Sequence, residues 1–291
     1  MTAVTVGSPW VGGAESAEAR MVHMAEDKQD VGGAEGTPPS ILAKAFSVIG
    51  AFNERDRVLT LTQISRKTGL PKSTVHRLLQ RLGELDVIEE HGAGYRLGIR
   101  LLQLVSSMPV DGMREVALPH LAQLQAWSKE SVHFGVLRGN EVVVLQALFA
   151  VDHARPIGEV GTRIPAHLSA MGRAMMAYLP EDELTELLAA PLVGMTPKSV
   201  TDPVQISDEL NRIRVSGAAI TKDGVVLGLG NIAAPVLIKG RPMGAIAVQF
   251  DSSKPVSESM INAVKLTAHR ISRDTAQMLS QGRGDLFPFD D

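Results

Sequence analysis

The side chains best suited to chemistry in this 291-residue chain lie in residues 61–82. This stretch predicts two short helices joined by a tight Gly-Leu-Pro turn, and the second helix carries a polar and basic outer face. Arginine can donate two hydrogen bonds to guanine and lysine can bind a phosphate, so this face suits the reading of duplex DNA. The predicted DNA-contacting residues are Lys72, Ser73, Thr74, His76, Arg77, Arg81 and, on the hairpin that follows, Arg96.

Three helices are predicted to position these side chains. Ser40 is a candidate N-cap for a first helix that ends near Asn53. Thr60 or Thr62 could cap a second helix, which ends at Gly69. The third helix has a proline in its first turn and an apolar stripe at helical spacing, formed by Val75, Leu78, Leu79 and Leu82.

A β-hairpin is predicted directly after the third helix. Its strands lie at 87–90 and 95–97, on either side of a glycine-rich turn. A hairpin in this place is a wing, so residues 40–98 predict a winged helix-turn-helix domain. The alternative is a winged domain that contacts protein and leaves its basic face solvated. The helix pattern, the hairpin and the local charge together favour DNA.

The charge of the chain is unevenly distributed. The formal net charge is −3, but residues 40–105 contain ten Lys or Arg and six Asp or Glu. Residues 1–39 contain two basic and six acidic residues. A basic segment between acidic flanks provides the electrostatic attraction that a duplex requires.

Composition excludes several other classes of protein. The chain has no cysteine, which rules out disulfides, Cys-ligated zinc fingers and Cys nucleophiles. We see neither a signal peptide nor an apolar run of the roughly 20 residues needed to span a bilayer, so we expect a cytoplasmic protein with no membrane partner. Residues 1–39 and 282–291 are expected to be tails, the first of them flexible.

The second half of the chain predicts an α+β domain. A linker is expected at 99–112, with a helix over 99–108, and the domain itself spans 113–281. Two hairpins are predicted, one with strands at 132–137 and 142–148, the other with strands at 231–238 and 245–250. A long amphipathic helix at 256–279 closes an antiparallel sheet of the kind found in sensor domains.

Residues 161–177 predict a loop that enters a helix. Ser169 can cap this helix, and the backbone N–H groups of Ala170 and Met171 would then suit a carboxylate. The alternative is an ordinary capped helix that buries Met175 and Met176.

Together these segments resemble the isocitrate lyase regulator (IclR) family of transcriptional regulators over residues 40–281. The resemblance is carried by five motifs in order: GLPKSTVHRLLQRL at 69–82, GYRLG at 94–98, SVHFGVLRGNEVVVLQAL at 131–148, GTRIPAHLSAMGRAMMAYL at 161–179 and LGLGNIAAPVLIKGRPMGAIAVQF at 227–250. It implies a GAF-like domain whose pocket holds a small metabolite bearing a carboxylate. The amides of Ala170 and Met171 would meet that carboxylate, with Ile164 and Leu229 as apolar walls.

The polar lining of that pocket departs from the family pattern. Where the family commonly has an Asp, a Cys and two Ser, the matching residues here are Thr221, Asn231, Ala247 and Gln249. Gly224 stands where the family usually has Glu. These changes argue against two-carbon acids and predict a larger or less polar effector, because Ala247 removes a hydroxyl and Gln249 offers an amide.

Catalysis and metal binding find little support. His133, His153 and His167 could share a metal ion, but no close ligand spacing accompanies them. Asp152 and His153 could form a triad with Ser169, but no spacing selects that arrangement. We therefore expect no metal, no cofactor and no enzymatic activity.

The sequence predicts a transcriptional regulator whose operator binding is controlled by a small metabolite, an organic acid. One recognition helix reads few bases, so a homodimer on a pseudo-palindromic, double-stranded operator is expected. The first helix and the linker helix are the candidate dimer contacts, and the family resemblance adds a pairing of two dimers. The alternative function is a ligand sensor that acts through protein partners.

Overall fold

The computed structural model describes residues 39–53, 56–105, 110–150 and 158–280. The chain divides into two compact units, of which the first ends at Asp111 and the second covers Gly112 onward. Both predicted tails, apart from Pro39, lie outside the described residues, as do residues 106–109 of the predicted linker.

In the residues that the structure describes, the N-terminal unit has three helices, a two-stranded hairpin and one more short helix. These elements are α1 (Ile41–Ile49), α2 (Leu61–Thr68), α3 (Lys72–Gly83), β1 (Ile88–His91), β2 (Gly94–Leu97) and α4 (Arg100–Val105).

Local capping fixes where the first two helices begin. The Ser40 hydroxyl accepts the N–H of Ala43 at 3.1 Å. Thr60, and not Thr62, caps α2, and it forms a reciprocal capping box with Gln63. Helix α1 ends at Ile49, earlier than predicted, because the chain passes into turns there. Pro71 precedes α3 as its N-cap residue and does not lie within its first turn.

The core of this unit confirms the predicted stripe on α3. All four of its apolar residues are buried together with Ile64 of α2. On α1, in contrast, Leu42 and Phe46 are each 69% exposed and lie outside the core. The apolar residues of α1 therefore lie on two faces of the helix, one buried in the core and one exposed.

The wing is attached to the rest of its unit by backbone contacts. Leu59 and Tyr95 exchange two backbone hydrogen bonds, at 3.0 and 2.8 Å, which add a third short segment to the hairpin. A Cβ at Gly98 would lie 2.1 Å from the Asp86 carbonyl oxygen, so only glycine fits there. This close approach explains the second glycine of the GYRLG motif.

The C-terminal unit is built on a six-stranded antiparallel sheet with the strand order β5-β4-β3-β8-β7-β6. Its strands are β3 (Val132–Arg138), β4 (Glu141–Leu148), β5 (Arg163–Pro165), β6 (Ala219–Lys222), β7 (Leu229–Ile238) and β8 (Arg241–Asp251). Its helices are α5 (Val110–Ser128), α6 (Ala170–Met176), α7 (Glu181–Ala189), α8 (Pro203–Ser216) and α9 (Glu258–Ser280).

The two faces of this sheet bury different side chains. One face carries large residues such as Phe134, Ile246 and Val248, which pack with buried residues of α5 and α9. The other carries small residues such as Ala245 and Ala247, and α6 packs on it. Small side chains let that helix approach the strands closely and leave room at one end of the face.

The prediction of an α+β chain with a winged helix-turn-helix is confirmed, but some boundaries are wrong. Strand β5 was not predicted, because three residues are too few for a periodic pattern. Helix α8 begins at Pro203 after an Asp202 cap. Helix α5 begins at Val110, within the segment that was predicted as a linker at 99–112. No helix in the described parts of the chain has the length and apolar content to cross a bilayer.

Candidate DNA-binding and effector sites

Helix α3 presents the predicted DNA-contacting residues on its outer face. Lys72, Ser73, His76, Arg77 and Arg81 are exposed, and Thr74 is half-buried. Burial of the apolar stripe on the opposite side turns this set outward. The surface therefore has the size and charge of a helix that could enter a major groove.

The cations of this surface differ in their ion pairing. Arg81 pairs at 2.9 Å with Glu84, the residue that follows the last residue of α3. Arg96 on the wing pairs with Glu89 of the neighbouring strand at 3.2 Å. Within the described part of the chain, Lys72 and Arg77 have no carboxylate within ion-pair distance. A phosphate or base would therefore compete with a protein carboxylate at Arg81 and Arg96, but not at Lys72 or Arg77.

The N-terminus of α3 has no side-chain cap. Its first intrahelical hydrogen bond joins the N–H of Val75 to the carbonyl of Pro71, at 3.0 Å. The preceding N–H groups have no acceptor within the helix and, together with Lys72, they suit a phosphate. Arg66, which was not singled out from the sequence, is exposed in the last turn of α2 and adds a cation to this unit.

A cavity opens in the C-terminal unit at the end of the small-residue face. It measures about 560 Å³ with its open mouth included. Seven of the eight residues predicted to bind an effector line it: Ile164, Met171, Thr221, Leu229, Asn231, Ala247 and Gln249. Every strand of the sheet contributes at least one lining residue, so the fold brings together positions that lie far apart in the sequence.

Ala170 is the exception among the eight. It is 2% exposed and packs in the core beneath the cavity, and its side chain does not line the cavity. The sequence identified this residue for its backbone N–H, and that role stays a prediction. The lining residues outside the predicted effector-binding set are His133, Val144, Gly158, Ser169, Gly224, Val225 and Val226.

Helix α6 begins at the wall of the cavity. The Ser169 hydroxyl accepts the N–H of Gly172, so the predicted cap is present. The N–H groups of Ala170 and Met171 precede the first intrahelical hydrogen bond, as in any helix. A Cβ at Gly172 would lie 2.1 Å from the Ala166 carbonyl oxygen, so glycine permits the loop to fold against the helix.

A buried arginine fixes this loop from below. Arg173 is 5% exposed, and its Nε donates to the His167 carbonyl at 2.6 Å while its Nη1 pairs with Glu209 of α8. Arg173 thus holds this turn through the backbone carbonyl of His167. The pKa of the His167 imidazole is lowered, mainly because the ring is buried. A hydrogen bond to the Val193 backbone raises this pKa, whereas the positive charge of Arg173 lowers it further.

A second charged residue fixes the opposite wall. Asp223 has a φ of 62°, and its carboxylate accepts hydrogen bonds from Ser252 and from the N–H of Gly228, each at 2.6 Å. Lys198 pairs with the same carboxylate at 2.6 Å. Burial raises the pKa of Asp223, but the hydrogen bonds from Lys198, Ser252 and Gly228 outweigh it and hold that pKa below its usual range.

The bonds to Asp223 determine the shape of the loop at residues 223–229. This loop supplies Gly224, Val225, Val226 and Leu229 to the cavity lining. Ser199 also donates to the Gly224 carbonyl at 2.7 Å. The side chains of Thr196, Lys198 and Ser199 therefore hold the loop in place.

Of the three histidines considered for a metal site, two lie in the described residues. His133 lines the cavity and His167, in the loop before α6, does not, while His153 is outside the described residues together with Asp152. In the described ranges, no three His, Cys, Asp or Glu side chains are grouped so that they could hold a metal ion.

Two family models match the chain. Residues 41–92 match the model described as the IclR helix-turn-helix domain. Residues 104–273 match the model described as the bacterial transcriptional regulator IclR C-terminal domain.

Individual relatives agree with these models. The chain is 30% identical to the glycerol operon regulatory protein of Streptomyces coelicolor, over 80% of this chain and 95% of that protein. It is 29% identical to the Pca regulon regulatory protein of Pseudomonas putida, over 71% of this chain and 72% of that one. The solved structure of an IclR homologue from Microbacterium hydrocarbonoxydans, complexed with 4-hydroxybenzoate, is similar with a TM-score of 0.70 and 28% identity, covering 81% of this chain and 98% of that chain.

Proposed function

Because the chain belongs to the IclR family of bacterial transcriptional regulators, we propose that it binds operator DNA through α3 and the wing. We further propose that a small organic acid in the C-terminal cavity controls this binding. The observation that carries the proposal is the cavity itself, which gathers seven sequence-predicted residues from separate strands and a helix. Because a bacterial regulator must reach its operator DNA, the proposed location of the protein is the cytoplasm.

The DNA contacts are divided by chemistry. Arg77 is the best candidate for a base contact, because it is exposed in the middle of α3 with no carboxylate to compete. Lys72 and the N-terminus of α3 suit a phosphate, and Arg96 suits the backbone or the minor groove beside the wing. Ser73, Thr74, His76 and Arg81 complete the contact surface.

A homodimer would place two such helices on a pseudo-palindromic operator. Leu42 and Phe46 of α1, each 69% exposed, and Ile99, 66% exposed, support self-association through α1 and the start of the linker. Pairing of two dimers remains an expectation drawn from the family.

An organic acid is supported by relatives and by the lining. One similar structure is complexed with 4-hydroxybenzoate, an aromatic monocarboxylate. The walls formed by Val144, Ile164, Met171 and Leu229 suit an apolar body, while Thr221, Asn231 and Gln249 supply polar contacts. The absence of the Asp, Cys and Ser set favours such a ligand over a two-carbon acid.

The test is a binding titration in which the full chain is added to labelled DNA from upstream of its own gene. Fluorescence anisotropy would measure the affinity at several salt concentrations. We expect affinity to fall linearly on a log–log plot against salt, because phosphate contacts release counterions. Addition of 4-hydroxybenzoate or related monocarboxylates should then change the affinity. DNA binding that does not exceed that of a neutral control protein would favour the alternative, a sensor that acts through protein partners.

A cavity-filling variant separates the two halves of the proposal. Ala247→Met should block the acid response and leave DNA affinity unchanged, because Ala247 lines the cavity and is 2% exposed. Ala189→Met, at the exposed end of α7, is the matched control. A normal acid response in Ala247→Met would place the effector elsewhere.

A further inference from the structure

We infer that the cavity selects acids that carry a neutral hydrogen-bonding group, a hydroxyl or a carbonyl, and rejects those with a second charge. This inference rests on the proposed function, in which an organic acid occupies the cavity. It concerns the polar part of the lining, formed by three neighbouring side chains on β6, β7 and β8.

These three side chains form a ladder across the sheet. Thr221 lies directly opposite Asn231, and Asn231 lies directly opposite Gln249. Paired residues of antiparallel strands point to the same face, about 5 Å apart, so the three groups make one continuous polar strip. All three line the cavity.

The ladder has hydrogen-bonding capacity that the described protein leaves unused. Gln249 is 5% exposed, yet its carboxamide makes no hydrogen bond with any described residue. The same holds for the side chains of Asn231 and Thr221, which are half-buried. The carboxamide of Gln249 is not among the unpaired polar atoms that the described protein fully encloses, so it is open to the cavity, where an occupant can pair with it.

The charge of the lining defines what that partner can be. The lining residues that the structure describes include no Lys, Arg, Asp or Glu, and their one titratable side chain is His133. A second carboxylate against this ladder would lose its hydration without gaining a cation. A hydrocarbon end would leave the amides unpaired. A hydroxyl or carbonyl avoids both costs, because amides can donate to it and accept from it.

Ala247 provides the space for such a group. It lies two residues before Gln249 on β8, on the same face, and it pairs directly with His133. A methyl side chain at this position leaves room for an aromatic or aliphatic body between the ladder and the apolar wall. The inferred effector is therefore a monocarboxylate with an apolar body and a neutral polar substituent.

The experiment compares acids that differ only in the substituent at the end opposite the carboxylate, which is hydrogen, a hydroxyl or a second carboxylate. Calorimetric titration of the full chain would use benzoate, 4-hydroxybenzoate and terephthalate, and in parallel hexanoate, 6-hydroxyhexanoate and adipate. We expect the hydroxy acid of at least one series to bind about 10-fold or more tightly than both its parent acid and its dicarboxylate, the size expected for one unpaired buried group. Equal or weaker binding of the hydroxy acids would overturn the inference while leaving an acid-binding cavity intact.

Variants then test whether the ladder is the cause. Gln249→Leu should bring the hydroxy and parent acids to nearly equal affinity, and Gln205→Leu, at an exposed position on α8, should preserve the preference. Asn231→Leu is the second variant if Gln249→Leu does not fold, with the same expected loss. A preference unchanged in a folded ladder variant would contradict the inference. Failure of every acid in both series would instead remove the proposed function on which it rests.

Discussion

In the N-terminal unit, most of the proposed functional side chains stand on one helix and face outward. In the C-terminal unit, they come from six strands, a helix and a loop, and they face inward. The first arrangement needs only a helix whose opposite side is buried, so substitutions in neighbouring elements should leave the exposed side chains of α3 in place. The second needs several separate segments held at once, so its function depends on residues that never touch the ligand.

The charged residues of the two units show the same difference. On α3 and the wing, ion pairs such as Arg81 with Glu84 lie at the surface and contribute little to stability. In the C-terminal unit, the Arg173 pair and the Asp223 carboxylate are largely buried and fix the two walls of the cavity. We expect mutations at these supports to affect folding and effector binding, and mutations on α3 to affect DNA affinity alone.

The largest expected effect is on the Arg173 support. Glu209→Ala would leave the charge of Arg173 buried without its partner, which costs about 3–5 kcal/mol when a buried pair is broken. The free energy of unfolding, measured by denaturant titration of the full chain, should fall by roughly 3 kcal/mol, because Glu209 itself is 23% exposed.

The control is an exposed pair on the same unit. Arg241 and Glu183 are about half exposed and 3.0 Å apart, so Glu183→Ala should cost less than about 1 kcal/mol. A similar loss of stability in the two variants would mean that the buried Arg173 pair contributes no more than a surface pair, which would contradict the proposed difference between the units.

A smaller effect, confined to DNA binding, is expected on α3. Arg77→Ala should weaken operator binding by about 1–3 kcal/mol if Arg77 contacts a base. Arg81→Ala should cost less, because Arg81 must first leave Glu84. Gel shifts at moderate salt would rank the two, with thermal unfolding as a check that neither changes stability. A larger loss for Arg81 would show that its ion pair with Glu84 does not govern the contact.

The difference between the units also explains what could be predicted from sequence. The stripe at Val75, Leu78, Leu79 and Leu82 identifies the outward face of α3 by exclusion, because helix periodicity alone separates the two faces. The cap at Thr60 and the wing follow from equally local signals. The exposure of Leu42 and Phe46 could not be predicted, since one apolar helix face gives the same pattern whether it meets a core or solvent.

The cavity could not be derived from periodicity. The direct pairing of Thr221, Asn231 and Gln249 depends on strand register, which local patterns do not fix across long connections. The family resemblance supplied these positions, as well as Ile164 and Met171. It did not supply the Asp223 cluster, which depends on a non-glycine residue at positive φ and on contacts with residues 196–199.

The smallest expected effect concerns the Asp223 cluster. Lys198 is 65% exposed, so Lys198→Met should cost only about 1 kcal/mol of stability. The pH dependence is more informative. Because the pKa of folded Asp223 lies below its usual range, the carboxylate stabilises the fold above the unfolded pKa of 3.8, and this contribution is lost as the pH falls through the folded pKa.

Removing Lys198 should raise the folded pKa of Asp223 and so shrink this contribution. The loss of stability on acidification begins near the unfolded pKa in both proteins, but it should be smaller in the variant and should level off at a higher pH than in the wild type. Unfolding followed from neutral pH down through the folded pKa of Asp223 would measure the difference, and Lys239→Met, at an exposed hairpin turn, is the matched control. Identical acid profiles for all three proteins would mean that the loop at 223–229 is held by its backbone contacts, with no contribution from the Lys198 charge.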